Sequence, residues 1–339
     1  MPARAFRDAR GRTQLILAHY VNRRLIGPDL AHLRRDCTPV FSSASSPDPA
    51  TYADREWLAS VYTSDGKTVY ALVHDEFQGH RHPGRCSSGV YLRCWYNAIT
   101  LVVSHDGGTS YERPDRSGRL VAAIPQPYEA DAGPAGIFEP SNIVRNPRNG
   151  YFYVLAREIA YGGSLRGTCV LRTRRLDRPG SWRAWNGNSF SVRFQDPYRM
   201  SSGRLRFCLP VATGEIGEMA ESLTFNPALD RFLLVGMSSV YDPGRRRLVT
   251  GVYYSTSDDL VLWSPRRLLF VTPRPQTFVC GDPDPIAYPS VIDPSSTARS
   301  FDTSGTRAFL YFTRLHYRNC QQTFDRDLVR VPITIARQP

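Results

Sequence analysis

Three glutamates stand at corresponding places in three related segments of this 339-residue chain. They are Glu56 in EWLASVYTSDGK, Glu139 in EPSNIVRNPRNG and Glu221 in ESLTFNPALD. Carboxylates are rarely enclosed without a partner or a task, and a chain with only 31 acidic residues would rarely align three by chance. Two carboxylates of unlike pKa can serve as a general acid and a general base, so we predict that these glutamates are catalytic.

Each related segment is followed by an apolar run that becomes polar or small at its carboxyl end. The four runs are VYALVHDE, YFYVLARE, RFLLVGMS and AFLYFTRLH. Their ends supply further candidates for substrate binding, which are His74, Asp75, Arg157, Glu158, Arg314 and His316. Arg157 and Arg314 would meet near a common centre, where they could hold a substrate carboxylate or pair with the glutamates. A structural ion-pair network would account for the same residues, and His74 could equally be a packed histidine bonded to backbone.

Two aromatic residues complete the predicted site. Trp95 ends a long insertion between Glu76 and Asn97, where its ring could stack on the apolar face of a substrate. Alternatively, Trp95 simply starts the third strand of its unit. Tyr288 opens the fourth related segment, YPSVIDPSSTARS, at the place held by glutamate in the other three. The insertion also contains Cys86 and Cys94, and their spacing favours a disulfide across a loop over a metal site.

The segments recur as hairpins. After each pair of strand-like runs comes a third segment with an aspartate, a turn and an aromatic residue, as in SHDGGTSYE, LDRPGSW and SDDLVLW. Units of roughly 70–80 residues built in this way are typical of β-propeller blades. We therefore predict an all-β chain, folded as a single β-propeller domain over 1–339, with five blades of four-stranded antiparallel sheets around a central channel. Repeats begin near 55, 138, 220 and 287, and residues 11–50 with the C-terminal end would complete a further blade.

The pattern resembles the five-bladed propeller glycosidases, the superfamily of arabinanases, xylosidases and fructosidases (glycoside hydrolase families 43, 62 and 32). EPSNIV with YFYVLARE, and YPSVID with AFLYFTR, are similar to that superfamily's Pro-Ser-hydrophobic strand and the aromatic strand that follows it. The turn SHDGGTSYE resembles the Asp box of sialidases. The resemblance implies a glycoside hydrolase that cleaves a polysaccharide or oligosaccharide with one acid from each of three successive blades.

The resemblance also implies roles for the acids. Glu56 or Asp54 would be the base, Glu139 would raise the pKa of the proton donor and orient it, and Glu221 would donate the proton. Asp54 competes with Glu56 because residues two apart on a strand share a face. Glu218, three residues before Glu221, could take its place.

Other functions use the same scaffold. The chain could be a propeller that binds carbohydrate or protein without catalysis, or a sialidase-like hydrolase, a sugar phosphorylase or a lyase. A sialidase requires three arginines around one carboxylate and a tyrosine nucleophile beside a glutamate, and Arg157, Arg314 and Tyr288 supply part of that set. Acids that converge on an open pocket favour the enzyme, whereas acids each locked by an arginine favour the binding protein.

The amino-acid composition limits the possible binding partners and the cellular location of the protein. The net charge is +12 and Lys67 is the only lysine among 43 basic residues, which a GC-rich genome or an anionic carbohydrate substrate would explain. The basic residues form no compact run, so nucleic acid is not expected, and no apolar stretch is long enough to span a membrane. Seven cysteines favour disulfides and a secreted or periplasmic location, although the N-terminal segment is a poor signal peptide. We expect a monomer that requires no cofactor, with room for a structural divalent ion on the propeller axis beside His74 and Asp75.

Overall fold

The computed structural model describes residues 2–115, 118–163, 165–199, 205–244 and 246–336, and regular structure in these ranges is almost entirely β. In chain order the strands are β1 (Arg4–Arg7), β2 (Thr13–Leu17), β3 (Val21–Gly27), β4 (Arg34–Ser42), β5 (Arg55–Tyr62), β6 (Val69–Gln78), β7 (Trp95–Ser104), β8 (Leu120–Ala122), β9 (Ala135–Pro140), β10 (Val144–Arg145), β11 (Phe152–Ile159), β12 (Arg166–Thr173), β13 (Arg183–Trp185), β14 (Phe190–Val192), β15 (Ser222–Asn226), β16 (Arg231–Asp242), β17 (Arg247–Ser257), β18 (Arg267–Val271), β19 (Ile286–Ile292), β20 (Arg307–Arg318) and β21 (Gln321–Thr334). One α-helical turn lies in this part of the chain, α1 (Thr213–Ile216). The described 3-10 turns are Pro49–Thr51, Gly79–Arg81, Tyr91–Cys94, Tyr161–Gly163, Pro179–Ser181 and Pro275–Thr277.

The strands form successive antiparallel groups arranged around a common axis. In chain order the groups are β1–β4, β5–β8, β9–β14, β15–β18 and β19–β21. A short parallel pairing of β7 with β9 joins the second and third groups into one sheet. The first strand of each group is the innermost one, since β1 contacts β5, β5 contacts β9, and β15 contacts β19. This radial order is that of a β-propeller, as the sequence predicts.

The core lies between neighbouring groups of strands. Ile99, Ile137 and Leu171 are fully buried in a cluster that the second and third groups share. Phe6 and Val73 belong to a second cluster, between the first and second groups. Burying one such side chain stabilises the fold by about 1.5–3 kcal/mol, so the interfaces between groups carry much of the stability.

The predicted aspartate turns close hairpins on the outer side of the sheets. Asp106 Oδ1 accepts the backbone N–H of Thr109 at 2.9 Å, and Gly108 in the same turn has a φ of +83°. In the turn after β17, Asp259 holds the backbone through the same kind of bond, and Trp263 is buried behind it. The turn chemistry expected from these sequences is therefore present.

Arg4 lies on the axis and connects the inner strands. Its side chain is 3% exposed, and it donates hydrogen bonds to Ala59 O at 2.8 Å, Glu221 O at 2.6 Å, Pro140 O at 3.4 Å and Ser290 Oγ at 3.1 Å. These acceptors belong to all four of the other strand groups. Burial lowers the pKa of Arg4 to about 10, still well above neutrality, so a positive charge sits at the centre of the molecule.

The predicted completion of a blade by the C-terminal end is wrong. Residues 4–42 form their own four-stranded sheet, and β21 pairs instead with β20 along most of its length. The reason is the two-residue turn of Asn319 and Cys320, both of which have positive φ. A turn of that kind matches the twist of a hairpin and returns the chain to the strand that it has just left.

Three disulfides join described cysteines: Cys86–Cys94, Cys169–Cys208 and Cys280–Cys320. The first is the loop disulfide that the sequence predicts. Cys37 is unpaired and exposed. Within the described ranges there is no helix long and apolar enough to cross a membrane.

An Arg4→Met variant tests the role of the axial guanidinium. We expect its free energy of unfolding to fall by about 3 kcal/mol or more, because buried carbonyls lose a charged donor. Urea titration followed by intrinsic fluorescence measures the loss. Arg10→Met, at an exposed position six residues away, is the control and should unfold like the wild type. Equal midpoints for the two variants would contradict the role assigned to Arg4.

Candidate active site

A cavity of about 610 Å3 opens beside the axis, between the second, third, fourth and fifth groups of strands. Its charged lining residues are the acids Glu76, Glu139, Glu218 and Glu221 and the bases His74, Arg157, Arg166, Arg266 and Arg274. Its aromatic lining residues are Trp95, Phe138 and Tyr288. Half of the predicted site residues therefore meet here: Glu139, Glu221, His74, Trp95, Arg157 and Tyr288.

Glu139 reaches the cavity from β9. Its Oε1 atom is inaccessible to water and has no hydrogen-bond partner among the described residues. Burial raises the pKa of Glu139 above its ordinary value, and the charge of Glu221 acts in the same direction. Arg4, together with His74 when that ring is protonated, opposes this shift without cancelling it. Glu139 is thus suited to hold a proton.

Glu221 reaches the cavity from the residue that precedes β15. Its Oε2 accepts the backbone N–H of Ala220 at 3.0 Å, and its Oε1 accepts the backbone N–H of Met237 at 3.0 Å. Gly236 makes room for this carboxylate, because a β-carbon at that position would overlap Glu221 Oε2 and press on Met219. Two N–H donors are a setting that suits a carboxylate anion.

The polar end of VYALVHDE lies on β6, where His74, Asp75 and Glu76 point to alternating faces of the strand. His74 and Glu76 line the cavity, and His74 Nε2 lies 3.0 Å from Glu76 Oε1. The other oxygen, Glu76 Oε2, accepts hydrogen bonds from Gln78 Nε2 at 2.8 Å and from the hydroxyl of Tyr91 at 3.1 Å. Asp75 lies between these residues in sequence and points to the opposite face, because side chains alternate along a strand.

Glu56 and Asp54 do not line the cavity. Glu56 is paired with Asp75 across the sheet and shares its face. Arg113 binds both oxygens of Glu56, at 2.9 Å from Nε and 2.5 Å from a terminal nitrogen. Asp54 Oδ2 accepts from the backbone N–H at position 78 and lies 3.0 Å from His82 Nε2. Burial, followed by the charge of Glu56, raises the pKa of Asp75 well above its usual range. The structure therefore separates Glu56, Asp54 and Asp75 from Glu139 and Glu221.

The inner strands β5 and β9 differ in geometry at their glutamates. Glu56 pairs directly with Asp75, and the bulge on β5 comes later, between Leu58 and Ser60. On β9 the extra residue lies between Ile137 and Pro140, so Glu139 itself is within the bulge. The repeats also align Asp75 with Arg157, yet Arg157 lines the cavity and Asp75 does not.

Arg157 shares the carboxylate of Glu218 with Arg166. Arg166 Nε lies 2.5 Å from Glu218 Oε1, and a terminal nitrogen of Arg157 lies 3.7 Å from Glu218 Oε2. The guanidinium of Arg157 also stacks 4.5 Å over the ring of Phe138. Glu218 is consequently a partner of arginines and is poorly placed to substitute for Glu221.

Arg314 and His316 do not reach the site. Arg314 is exposed on β20. His316 lies between two carboxylates, with Nδ1 2.6 Å from Asp284 Oδ2 and Nε2 2.9 Å from Asp327 Oδ2. These hydrogen bonds, led by that to Asp327, raise the pKa of His316. The predicted meeting of Arg157 with Arg314 is therefore wrong, because the β20–β21 hairpin carries Arg314 and His316 toward solvent.

The two predicted aromatic residues both line the cavity. The ring of Trp95 is 5.0 Å from those of Tyr91 and Phe138, with which it forms an apolar surface. Tyr288 has a φ of +62° at the bulge between Ala287 and Ser290. Burial raises the pKa of Tyr288, and so do the nearby carboxylates of Glu139 and Glu76. Strained backbone at a non-glycine residue is often found where function fixes a side chain.

Glu158 is buried behind the cavity. Its side chain is fully buried. Burial raises the pKa of Glu158 to about 8, although the backbone N–H of Cys208 opposes part of the rise. The Cys169–Cys208 disulfide lies beside the carboxyl group.

The described side chains include two groups of three potential metal ligands. They are Cys86 with Cys94 and Asp131, and Glu158 with Cys169 and Cys208. In both, the sulfur atoms are joined in a disulfide and cannot act as thiolate ligands. Neither group lines the cavity, and neither includes His74 or Asp75. An axial divalent ion stays a prediction.

Sequence reasoning missed several of the charged residues at this site. Arg4 lies in the first strand, where no related segment marks it. Arg166, Arg266 and Arg274 follow β11, β17 and β18, and they approach the axis only after the chain folds. Glu76 was visible as the end of VYALVHDE, and the alternation of side chains about the buried strand was the signal that selects it over Asp75.

No protein-family model and no curated protein sequence matches this chain. Solved structures do. An α-L-arabinanase of Cellvibrio cellulosa in complex with arabinohexaose superposes with a TM-score of 0.52 at 11% identity, over 95% of this chain and 88% of its own. An exo-1,5-α-L-arabinanase from a bovine ruminal metagenomic library gives 0.51 at 9% identity, over 96% and 93%. A further glycoside hydrolase gives 0.55 at 10% identity, over 99% and 89%. The fold is that of the propeller glycosidases.

The superposition on these solved structures confirms the predicted all-β propeller. It also confirms the predicted resemblance to the fold of the propeller glycosidases. Identities near 10% are too low to transfer residue roles or a substrate. The chemistry must therefore be argued from the cavity of this chain.

The buried carboxyl group of Glu158 should make the stability of the folded protein depend on pH. The folded protein keeps this carboxyl protonated up to about pH 8, whereas the unfolded chain loses the proton near its ordinary value of 4.5. Stability from this group is therefore complete below pH 4.5 and is lost as the pH rises toward 8, by about 1.4 kcal/mol per pH unit. A Glu158→Leu variant should remove that slope and be the more stable protein at pH 8.

Urea midpoints between pH 4.5 and 8.5 measure the effect, with Glu129→Gln at an exposed position as the control. A Glu158→Leu variant whose stability falls with pH as steeply as the wild type would contradict the buried neutral carboxyl.

Proposed function

We propose that this protein is a glycoside hydrolase whose catalytic carboxylates are Glu139, Glu221 and Glu76. The observation that carries the proposal is the meeting of Glu139 and Glu221 in one open cavity, without an arginine within salt-bridge distance among the described residues. They come from consecutive inner strand groups of a fold that glycosidases share. Hydrolysis of a glycosidic bond needs a protonated carboxyl and an ionised one side by side.

The two acids differ in the way that this chemistry requires. Glu139 is buried, lacks a partner for Oε1 and has a raised pKa, so it is the group that protonates the leaving oxygen. Glu221 is held by two backbone N–H donors, and its charge raises the pKa of Glu139. This assignment reverses the roles that the family resemblance implies for the pair.

Glu76 takes the place predicted for Glu56. It comes from the second group of strands, so three successive groups still supply one acid each. His74, Gln78 and Tyr91 fix its carboxylate in the cavity wall. In our proposal Glu76 accepts the proton of the attacking water while the glycosidic carbon–oxygen bond breaks and Glu139 gives its proton to the departing oxygen.

A carbohydrate substrate suits the rest of the cavity. Trp95 and Phe138 present an apolar surface on which a sugar ring can stack, and Tyr288 offers a hydroxyl near two of the acids. The three disulfides are consistent with an oxidising compartment, and we propose that the protein acts outside the cytoplasm. We keep the expectation of a monomeric protein.

A non-catalytic sugar-binding propeller is the second candidate. The observation that favours it is Glu56, whose carboxylate is locked by Arg113 in the way expected of a structural ion pair. Such a protein would bind glycans in the same cavity without releasing reducing sugar, and the experiment below separates the two.

Leaving-group dependence tests the proton donor. Wild type, Glu139→Gln and Glu221→Gln are assayed on a panel of natural glycans and on aryl glycosides with good leaving groups. Loss of the donor should lower turnover of natural glycans by at least 100-fold but spare the aryl glycosides, which leave without protonation. We expect this pattern for Glu139→Gln, and for Glu221→Gln an alkaline limit of the pH–rate profile that moves to lower pH.

The opposite pattern, with Glu221→Gln sparing only the aryl glycosides, would assign the proton to Glu221. No turnover of any glycan by folded wild type would favour the binding protein. Arg314→Gln, outside the cavity, should behave as the wild type in every assay.

Gly236→Ala tests the seat of Glu221 without altering a charged group. The added methyl group should displace the carboxylate and lower kcat/KM at least tenfold, with a small change in melting temperature. Gly214→Ala is the control, since a β-carbon there meets open space. Unchanged kcat/KM in Gly236→Ala would show that Glu221 is not needed where the structure places it.

A further inference from the structure

Four arginines form one wall of the cavity, the arginine wall, which consists of Arg157, Arg166, Arg266 and Arg274. They come from β11, β12 and the segments around β18. The acids Glu76 and Glu139 belong to β6 and β9, and no arginine among the described residues lies within salt-bridge distance of either. An acid-base mechanism alone does not call for this wall.

Within the described ranges, the carboxylate in salt-bridge contact with the arginine wall is Glu218, bound by Arg166 and approached by Arg157. Burial lowers the pKa of Arg157. The charges of Glu218 and Glu221 oppose this shift, and those of Arg166 and Arg274 add to it. The positive charges are thus close enough to repel one another. A cluster of this kind is stabilised by an incoming anion.

The guanidinium groups of Arg157 and Arg266 are not fully hydrogen-bonded within the described residues. Their Nε atoms have no partner there and are shielded from water, so an anion that used them would have to turn the side chains toward the cavity. The guanidinium of Arg266 is anchored through one terminal nitrogen, which donates to Gly214 O at 2.8 Å. Guanidinium groups bind oxyanions through paired N–H donors, and this geometry discriminates them from neutral hydroxyls.

We propose that the arginine wall binds an anionic substituent of the glycan, a uronate carboxylate or a sulfate ester, and so selects acidic carbohydrates. This proposal rests on the proposed function for its account of the acids, but the wall itself can be tested by binding. Glu218 occupies part of the wall in the unliganded protein and competes with the substrate's anion for Arg157 and Arg166.

Titration calorimetry with matched ligands tests the proposal. Uronate-containing oligosaccharides are compared with their carboxyl-reduced counterparts, and sulfated oligosaccharides with their desulfated counterparts. Each pair differs only in the anionic group. Full-length protein is used, as wild type and in the Glu139→Gln background that prevents turnover. We expect at least one acidic glycan to bind tenfold or more tightly than its neutral counterpart, and the preference to weaken with added salt. The pair that shows it identifies the substituent.

Two variants act in opposite directions. Arg266→Gln should weaken binding of the acidic glycan at least tenfold and change binding of the neutral glycan less than threefold. Glu218→Gln should tighten binding of the acidic glycan several-fold, a gain that a misfolded or merely loosened protein would not give. Arg314→Gln, an exposed arginine away from the cavity, should leave both affinities unchanged.

Equal affinities within both ligand pairs would overturn the inference, as would a Glu218→Gln variant that binds acidic glycans no more tightly than wild type. The proposed function fails separately, through the absence of hydrolysis. If the protein binds acidic glycans through the arginine wall and never cleaves them, the inference holds and the proposed hydrolase function does not.

Discussion

A buried guanidinium ties together the inner strands of this propeller. Arg4 donates to backbone or side-chain oxygen atoms of all four other groups of strands, so the groups cannot separate without leaving a charge and several carbonyls unpaired. The charge also sits beside the two carboxylates of the cavity. There it opposes the rise in the pKa of Glu139 that burial and the charge of Glu221 cause.

Strand geometry then decides which acids reach the cavity. Successive side chains on β6 point to opposite faces, so Glu76 faces the cavity and Asp75 does not. Glu56 is paired with Asp75 across the sheet and lies on the same face as Asp75. On the fourth group, the absence of a side chain at Gly236 lets the carboxylate of Glu221 rest against the backbone. Both effects are local and steric, and neither depends on the overall radial order of the sheets.

The sequence predicts features that depend on local residues better than those that depend on contacts between distant segments. Hairpins, aspartate turns and recurring apolar runs are local, so the propeller and the inner positions of Glu139 and Glu221 were predictable. The bulge on β9 lies between Ile137 and Pro140, whereas that on β5 comes after Glu56, and the repeat pattern does not distinguish the two places. An error of one residue exchanges the two faces of a strand. Arg4 could not be recognised because its importance comes from oxygen atoms up to 286 residues away. The arginine wall is likewise assembled from distant segments.

The arginines of the wall are kept apart from Glu139. In the proposed mechanism, an arginine that paired with Glu139 would lower the pKa of its carboxyl and remove the proton that the leaving oxygen needs. Glu218 opposes such a pairing, because it binds Arg166 and lies 3.7 Å from Arg157, which stacks over the ring of Phe138. Glu139 is left beside Glu221, Arg4 and His74. A substrate anion that displaced Glu218 would preserve the same separation, so an acidic glycan could occupy the wall without disturbing the proton on Glu139.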